Sequence, residues 1–430
     1  TAGKPAYTIP HSFSDVPAEY ADAVSWAAEN EILLGVGDQL FLPQPSLSRQ
    51  EFAAILYRRA GSPTVSGKEV SSFSDSDSIA SWARSAMLWC VKTGLLVGQS
   101  QDLIAPKDTI TISEALLILQ REQYLPDLEQ LRTDLNTLTK MHRPIGSEGE
   151  AQAAQYLQDR FSDMGYTVST QTYTNDAGLT GVNVIATKSA PEPDSDILVF
   201  SAHHDSVPTA YGANDNASGT VALLAVANAL KDLPTDTELR FISFTDEENG
   251  KNGSRYYTSL LSEEERSHII GDLQFDMLGG LGSSGTLLCT TDGEANWLSN
   301  LLQMKNTSFS LQTETASDHT SFQLAGIPSV LMMQNGRGYL YHSAADTAQY
   351  LDLFTISGAV QTAAITAEEI ISQDTGSYQE IAHQQGQGYT YCQTRQNVIY
   401  FSSSLADTEA YIGASGQLVD TYEIEGNGWT

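Results

Sequence analysis

The stretch Asp196-Ile197-Leu198-Val199-Phe200-Ser201-Ala202-His203-His204-Asp205 decides the fold. A short continuous apolar run reads as a strand buried on both faces of a sheet, and this one closes on two imidazoles and a carboxylate. The pattern recurs at Leu239–Thr245, which closes on Asp246-Glu247-Glu248, and at Leu273–Leu278, which carries Asp276. Thr286–Thr290 and Ser329–Met333 read as further strands, while Ser218–Leu233 and Asp352–Ser372 carry helical spacing. Strands alternating with helices predict an α/β fold, a doubly wound and mostly parallel sheet covered on both faces. Upstream, helices are expected over Asp127–Lys140 and Glu148–Met164, the second ending at Gly165.

Ligands of open α/β sheets gather beyond the carboxyl ends of the strands. His203, the Glu247-Glu248 pair and Asp276 fall there, so the fold would bring them to one crevice. The loop Gly212-Ala213-Asn214-Asp215-Asn216-Ala217-Ser218-Gly219 feeds a helix and presents Asp215 to the same place. It has neither the G-x-G-x-x-G pattern nor a P-loop Lys. His342, in Tyr341-His342-Ser343-Ala344-Ala345-Asp346-Thr347, follows the last strand. Two imidazoles and several carboxylates without a thiolate suit Zn²⁺, with Mn²⁺ or Co²⁺ as alternatives. A shared carboxylate holds two ions about 3.5–4 Å apart. Asp205, two residues past His203, is placed to accept the other ring N–H of that imidazole. Adjacent side chains of a regular strand face opposite ways. Glu247 and Glu248 therefore serve one site only if the strand ends here, as Asn249-Gly250 indicates; one would bind metal and the other take a proton.

Residues 1–125 contain an internal repeat. A shift of 63 positions lays Trp26 on Trp89, Gly35 on Gly98, Pro43 on Pro106 and Glu51 on Glu114. Each copy opens on Phe-Ser-Asp, from Phe13 and from Phe73, and reads as helix, Gly-centred turn, Pro-containing loop and second helix. The second helices are expected at Arg49–Arg59 and Ile112–Arg121. After about Gln373 the composition turns to Gln, Gly, Ser and Tyr, and the alternating runs Asn397–Ser402 and Leu418–Ile424 predict a small β-rich appendage. The expected divisions are 1–66 and 67–125 for the repeats, a small all-α module, then 126–374 for the α/β domain and 375–430 for the appendage.

Bulk properties narrow the function classes. The 430 residues, 41% of them hydrophobic and 17% charged, describe globular domains with no apolar run long enough to span a membrane. A formal charge of −31 argues against nucleic acid and anionic membrane surfaces as partners. The 3 cysteines, Cys90, Cys289 and Cys392, are widely separated and form no disulfide framework or C-x-x-C pair. They read as small core residues. The chain opens Thr1-Ala2-Gly3-Lys4-Pro5, so a trimmed terminus and a cytosolic origin stand as equal alternatives.

Two resemblances follow from these motifs. The openings Phe13-Ser14-Asp15-Val16 and Phe73-Ser74-Asp75, with Ser48-Arg49-Gln50-Glu51 and Thr111-Ile112-Ser113-Glu114 at the second helices, resemble S-layer homology repeats. That implies a secreted protein of the bacterial cell surface, with Arg49 helping to bind anionic cell-wall polysaccharide. Residues 127–374 resemble the double-zinc aminopeptidases, the family that includes aminopeptidase Y and the catalytic domain of glutamate carboxypeptidase II. The resemblance rests on Arg143-Pro144-Ile145-Gly146-Ser147, His203-His204-Asp205-Ser206, the Asp215 loop, Glu247 to Ser254, Asp276-Met277-Leu278-Gly279 and the His342 motif. It implies a zinc exopeptidase with two Zn²⁺ per chain acting on peptides. His203 and Asp276 would bind one ion and Glu248 and His342 the other, with Asp215 bridging them. A metal-activated water would attack with Glu247 as general base, Tyr341 would hydrogen-bond the oxyanion, and Asp205 would support His203. Ser317-Asp318-His319 is expected to line the site or to cap a helix. Two rivals are a glutaminyl cyclase-like zinc transferase, disfavoured by Tyr341 and Asn249-Gly250, and a non-catalytic surface-layer binding protein.

Overall fold

The computed structural model describes residues 12–43, 46–99, 102–192, 195–280, 283 and 285–372, and five strands beyond them. The chain divides into two units, Thr1–Gln123 and Tyr124–Thr430. In the first unit, α1 (Ala21–Glu29) and α2 (Arg49–Arg59) of one copy correspond to α3 (Arg84–Lys92) and α4 (Ile112–Glu122) of the other. Ser48 with Glu51, and Thr111 with Glu114, form capping boxes that start the two second helices. The carboxylate of Asp15 accepts from the N–H groups of Phe41 and Leu42 at 2.7 Å each. Asp75 does the same for Ile104 and Ala105, at 3.0 and 2.7 Å. The Phe-Ser-Asp opening is thus a tether between the start of each copy and the loop before its second helix.

Arg49 joins the copies. Its buried guanidinium donates to the carbonyls of Val97 at 2.6 Å and Ile104 at 3.0 Å, and to Glu114 at 2.9 Å. Burial lowers its pKa and Glu114 opposes the shift. The guanidinium that the repeat resemblance assigns to polysaccharide is engaged within the protein.

In the second unit, α5 (Leu128–Leu138) and α6 (Glu148–Asp163) are capped by Asp127 and Ser147. A hairpin follows, β1 (Thr167–Thr174) and β2 (Thr180–Lys188), then β3 (Ile197–His203), α7 (Ser218–Leu230) and β4 (Glu238–Phe244). Next come α8 (Asn252–Leu260), α9 (Glu263–His268), β5 (Ile269–Phe275), β6 (Thr286–Thr290), α10 (Trp297–Lys305) and β7 (Ser310–Thr313). α11 (His319–Leu324), β8 (Ser329–Gln334) and α12 (Leu353–Ser372) complete the domain. The eight strands form one mixed sheet in the order β1-β2-β4-β3-β5-β8-β6-β7. Its middle, β4-β3-β5-β8, is parallel, and β7 runs parallel to β6. The pairs β1–β2, β2–β4 and β6–β8 are antiparallel.

Alternation along β3 shows why the run is apolar throughout. Leu198, Phe200 and Ala202 join the core beneath α5, α6, α7, α10 and α12, while Ile197 and Val199 pack with Tyr257 of α8 and Phe322 of α11. Both faces are covered. The strand expected at Leu273–Leu278 begins instead at Ile269 and ends before Asp276. Asp272 disguises it: its buried carboxyl accepts hydroxyls from Ser201 of β3 at 2.7 Å and Ser329 of β8 at 2.6 Å. A polar rung therefore occupies a central strand that the apolar pattern could not extend through.

Beyond residue 372, β9 (Gln379–His383), β10 (Tyr389–Gln393) and β11 (Val398–Ser402) form an antiparallel sheet, and β12 (Ala406–Ile412) pairs with β13 (Asp420–Glu425). The rest of the expected appendage lies outside the described residues, as does the side chain of Cys392. Cys90 and Cys289 are buried thiols. Among the described residues no helix is long and apolar enough to cross a membrane.

Candidate metal centre and active site

β3 ends at His203 and β4 at Phe244, side by side and parallel. After Phe244 the chain turns sharply, with Asp246 in the left-handed region at φ 60°. The break lets Glu247 and Glu248 both face the crevice. Asp246 is held in this conformation by the side-chain amides of Asn175 at 2.9 Å, Asn249 at 2.6 Å and Asn252 at 2.8 Å. Met277, directly after Asp276, and His342 are also left-handed, at φ 56° and 54°. Such residues cost about 1–3 kcal/mol each and cluster at functional sites.

Two triads of donors converge. His203, Asp215 and Asp276 form one; Asp215, Glu248 and His342 form the other. Nε2 of His203 lies 3.4 Å from Asp215 Oδ1 and 3.5 Å from Asp276 Oδ1. Nε2 of His342 lies 3.1 Å from Asp215 Oδ2 and 3.1 Å from Glu248 Oε2. The two oxygens of Asp215 thus face different imidazoles. Glu247 belongs to neither triad, and its Oε2 is 4.0 Å from His203 Nε2.

The donors fit a metal ion. His203 Nε2, Asp276 Oδ1 and His342 Nε2 are buried atoms with no hydrogen-bond partner, a costly state in a protein interior. Tetrahedral ligands about 2.0–2.1 Å from zinc stand about 3.3–3.4 Å from one another, and the separations above bracket that value. Electrostatics agrees. Burial would depress His203, yet Asp276, Asp205 and Asp215 hold it well above the usual imidazole range. Burial lifts Glu247 well above the usual carboxyl range; His203 opposes, while Asp318, Asp276 and Asp205 add. Burial and then Asp215 push Glu248 up to about 9. Glu247 and Glu248 therefore hold protons unless a cation relieves them, whereas, against burial, His203 and His342 hold Asp215 well below the usual carboxylate range.

A second layer fixes these groups. Asp205 Oδ1 lies 3.2 Å from His203 Nδ1 and accepts from the N–H of Glu247 at 3.1 Å, while Oδ2 accepts from the N–H of Glu248 at 3.3 Å. Ser317 donates to Asp276 at 2.6 Å and accepts from Gln274 at 2.6 Å. Asp318 makes no cap; its carboxyl accepts from Ser254 at 2.5 Å. Tyr341 stacks on His342 with ring centroids 3.7 Å apart.

Two further residues stood in the quoted motifs without a role. Asp346 accepts from the N–H groups of Asn214 at 2.8 Å and Asp215 at 3.2 Å, and so holds Asp215 in place. Arg143, fully buried, donates to the carbonyls of Leu138, His204, Tyr211 and Gly212 at 2.6–2.9 Å. Burial lowers its pKa to about 10, with Asp205 and Asp346 opposing. A Cβ at Gly212 would stand 2.4 Å from the Asp215 carbonyl, and the residue has φ 60°, so only glycine fits this turn.

Residues 183–367 match Peptidase family M28, and residues 12–53 and 72–116 match the S-layer homology domain. The second unit carries an M28 peptidase domain. The first carries two S-layer homology repeats. Aminopeptidase YwaD of Bacillus subtilis is 37% identical over 170 residues, 38% of this chain and 37% of its own length. The chain therefore spans under two fifths of that relative. Among solved structures, an aminopeptidase from Aneurinibacillus sp. strain AM-1 superposes with a TM-score of 0.56 at 22% identity, covering 59% of this chain and 96% of that one. The Porphyromonas gingivalis glutaminyl cyclase gives 0.51 at 19% identity, covering 57% and 99%. At these identities the superpositions show the fold alone.

Proposed function

We propose that this M28 domain is a zinc-dependent exopeptidase holding two Zn²⁺, an aminopeptidase that removes N-terminal residues from peptides. The observation that carries the reading is Asp215, whose two oxygens lie 3.4 Å from His203 and 3.1 Å from His342. One carboxylate serving two donor sets suits a pair of ions, with His203 and Asp276 on one side and Glu248 and His342 on the other. Zinc, when bound there, supplies Lewis acidity and lowers the pKa of water to about 7. Glu247, outside both triads, takes the proton of the attacking water and delivers it to the leaving amine. Tyr341 donates to the oxygen on which negative charge grows. Asp205 fixes the His203 tautomer and the backbone of Glu247 together.

The S-layer homology repeats support a secreted protein displayed at the bacterial surface through cell-wall polysaccharide. Because Arg49 is engaged between the copies, sugar contacts fall to other residues of the first unit. The decisive experiment loads the protein with zinc, counts the metal, and assays aminoacyl p-nitroanilides beside N-blocked peptides. Two zinc per chain with hydrolysis of free-amino substrates is expected. One zinc per chain with cyclisation of N-terminal Gln would replace this reading by the cyclase one, and binding without turnover would favour a non-catalytic surface protein.

A further inference from the structure

Arg337 lies three residues past β8, between Gly336 and Gly338, whose φ values are 86° and 75°. Its Nη1 donates to the phenol oxygen of Tyr341 at 2.8 Å, and its Cζ stands 5.1 Å from the centroid of that ring. Its Nη2 lies 3.5 Å from Glu314 Oε2. Glu314 is itself fixed by the N–H groups of Thr315 at 2.9 Å and Ala316 at 3.0 Å. The guanidinium therefore links two segments: the one that reaches Asp276 through Ser317, and the one that carries Tyr341 and His342.

We propose that Arg337 is a positioning residue for Tyr341, setting the phenol so that its O–H is donated to the substrate oxygen. This rests on the peptidase reading above. A guanidinium only donates, so its N–H occupies a lone pair of the phenol oxygen and cannot take the phenol proton. Among the described residues no other group accepts that proton, which leaves the O–H to an incoming acceptor. The ring is held against rotation by the stack on His342 and by Arg337. A glycine on either side lets the loop place the guanidinium there. Without it, the phenol on this exposed loop could turn its proton to water.

The test is a double-mutant cycle on the zinc-loaded chain. Misplacement of a catalytic group costs rate steeply, and Arg337→Ala should lower kcat about tenfold while KM changes little. Zinc content and melting temperature should match the wild type. In a Tyr341→Phe background the same substitution should have no further effect, and Arg337→Lys should recover part of the loss. Calorimetry gives a second readout. Affinity for leucine boronic acid, which binds as a tetrahedral adduct, should fall by the same factor in Arg337→Ala, while affinity for leucine stays unchanged. Additive losses in the cycle, or a loss lying wholly in KM, overturn the proposal. A wild-type chain inert toward every aminoacyl substrate instead overturns the peptidase reading.

Discussion

Both units bury charge, and they finish the job differently. Between the repeats, the Arg49 guanidinium meets two carbonyls and a carboxylate, so its donors are engaged. In the strand-end crevice, His203, Asp276 and His342 each keep a buried atom without a hydrogen bond, beside Glu247 and Glu248, whose protons burial and nearby carboxylates hold in place. A satisfied buried charge closes a structure; an unsatisfied one waits for a ligand. The contrast separates architecture from chemistry better than residue type does, since both regions are built from Arg, Asp, Glu and backbone carbonyls.

The sharpest way to break this contrast is inside the crevice. Glu247→Gln keeps size but removes the proton acceptor, and general-base contributions are worth ~10²–10⁴ in rate. kcat should fall by that factor with metal content unchanged, since Glu247 lies outside both triads. Glu248→Gln should weaken metal binding instead, and excess zinc should restore part of the activity. If Glu247→Gln keeps most of the wild-type rate, the assignment of roles fails.

Next in size is the closed region. Arg49→Ala removes a buried guanidinium and leaves two carbonyls unpaired, a loss of about 3 kcal/mol for a broken buried pair. Chemical denaturation should show the loss in the first unit alone, with peptidase kinetics untouched. Metal removal should do the reverse. A ligand at about 100 times its dissociation constant stabilises by about 2.7 kcal/mol, so chelation should lower the thermal transition of the second unit and leave that of the first.

The smallest effect lies in the sheet. Burial raises the Asp272 carboxyl from 3.8 to about 7, with Ser329 and Ser201 opposing. A carboxyl raised in the folded state holds its proton there while the unfolded chain has lost it. Its neutral form is therefore tolerated at low pH, and stability falls as pH rises from about 4 to 7. Asp272→Asn should stabilise by about 1–2 kcal/mol at pH 8, measured by denaturant titration, and change little at pH 4. Equal effects at both pH values would show that the carboxyl is not proton-linked.

The parallel middle of the sheet was legible because β3 and β4 are apolar on both faces. The hairpin β1–β2 was not: its outer strand is exposed along most of its length and rich in Thr, so no core pattern marks it. At the site, the eight residues named from motifs are distinguished by chemical type, at strand ends or in the adjoining loops. Arg143, Asp346 and Asp246 do not. Their partners are carbonyls, N–H groups and amides from distant segments, and such pairings exist only after folding. Arg337 was missed for the same reason, since nothing in Gly336-Arg337-Gly338 names Tyr341 as its partner.

The grip of Asp346 on the backbone of Asp215 carries a consequence in time. It joins positions 131 residues apart, and the neighbouring contact to Asn214 joins positions 132 apart. Closing so long a loop comes late in folding. While the ribosome is still making the segment after β8, the carboxylate meant to serve both imidazoles has nothing to hold it, and His342 is not yet there to meet it. A partly synthesised chain therefore lacks the proposed site: its donor set is complete only when nearly the whole domain has been made and closed upon itself.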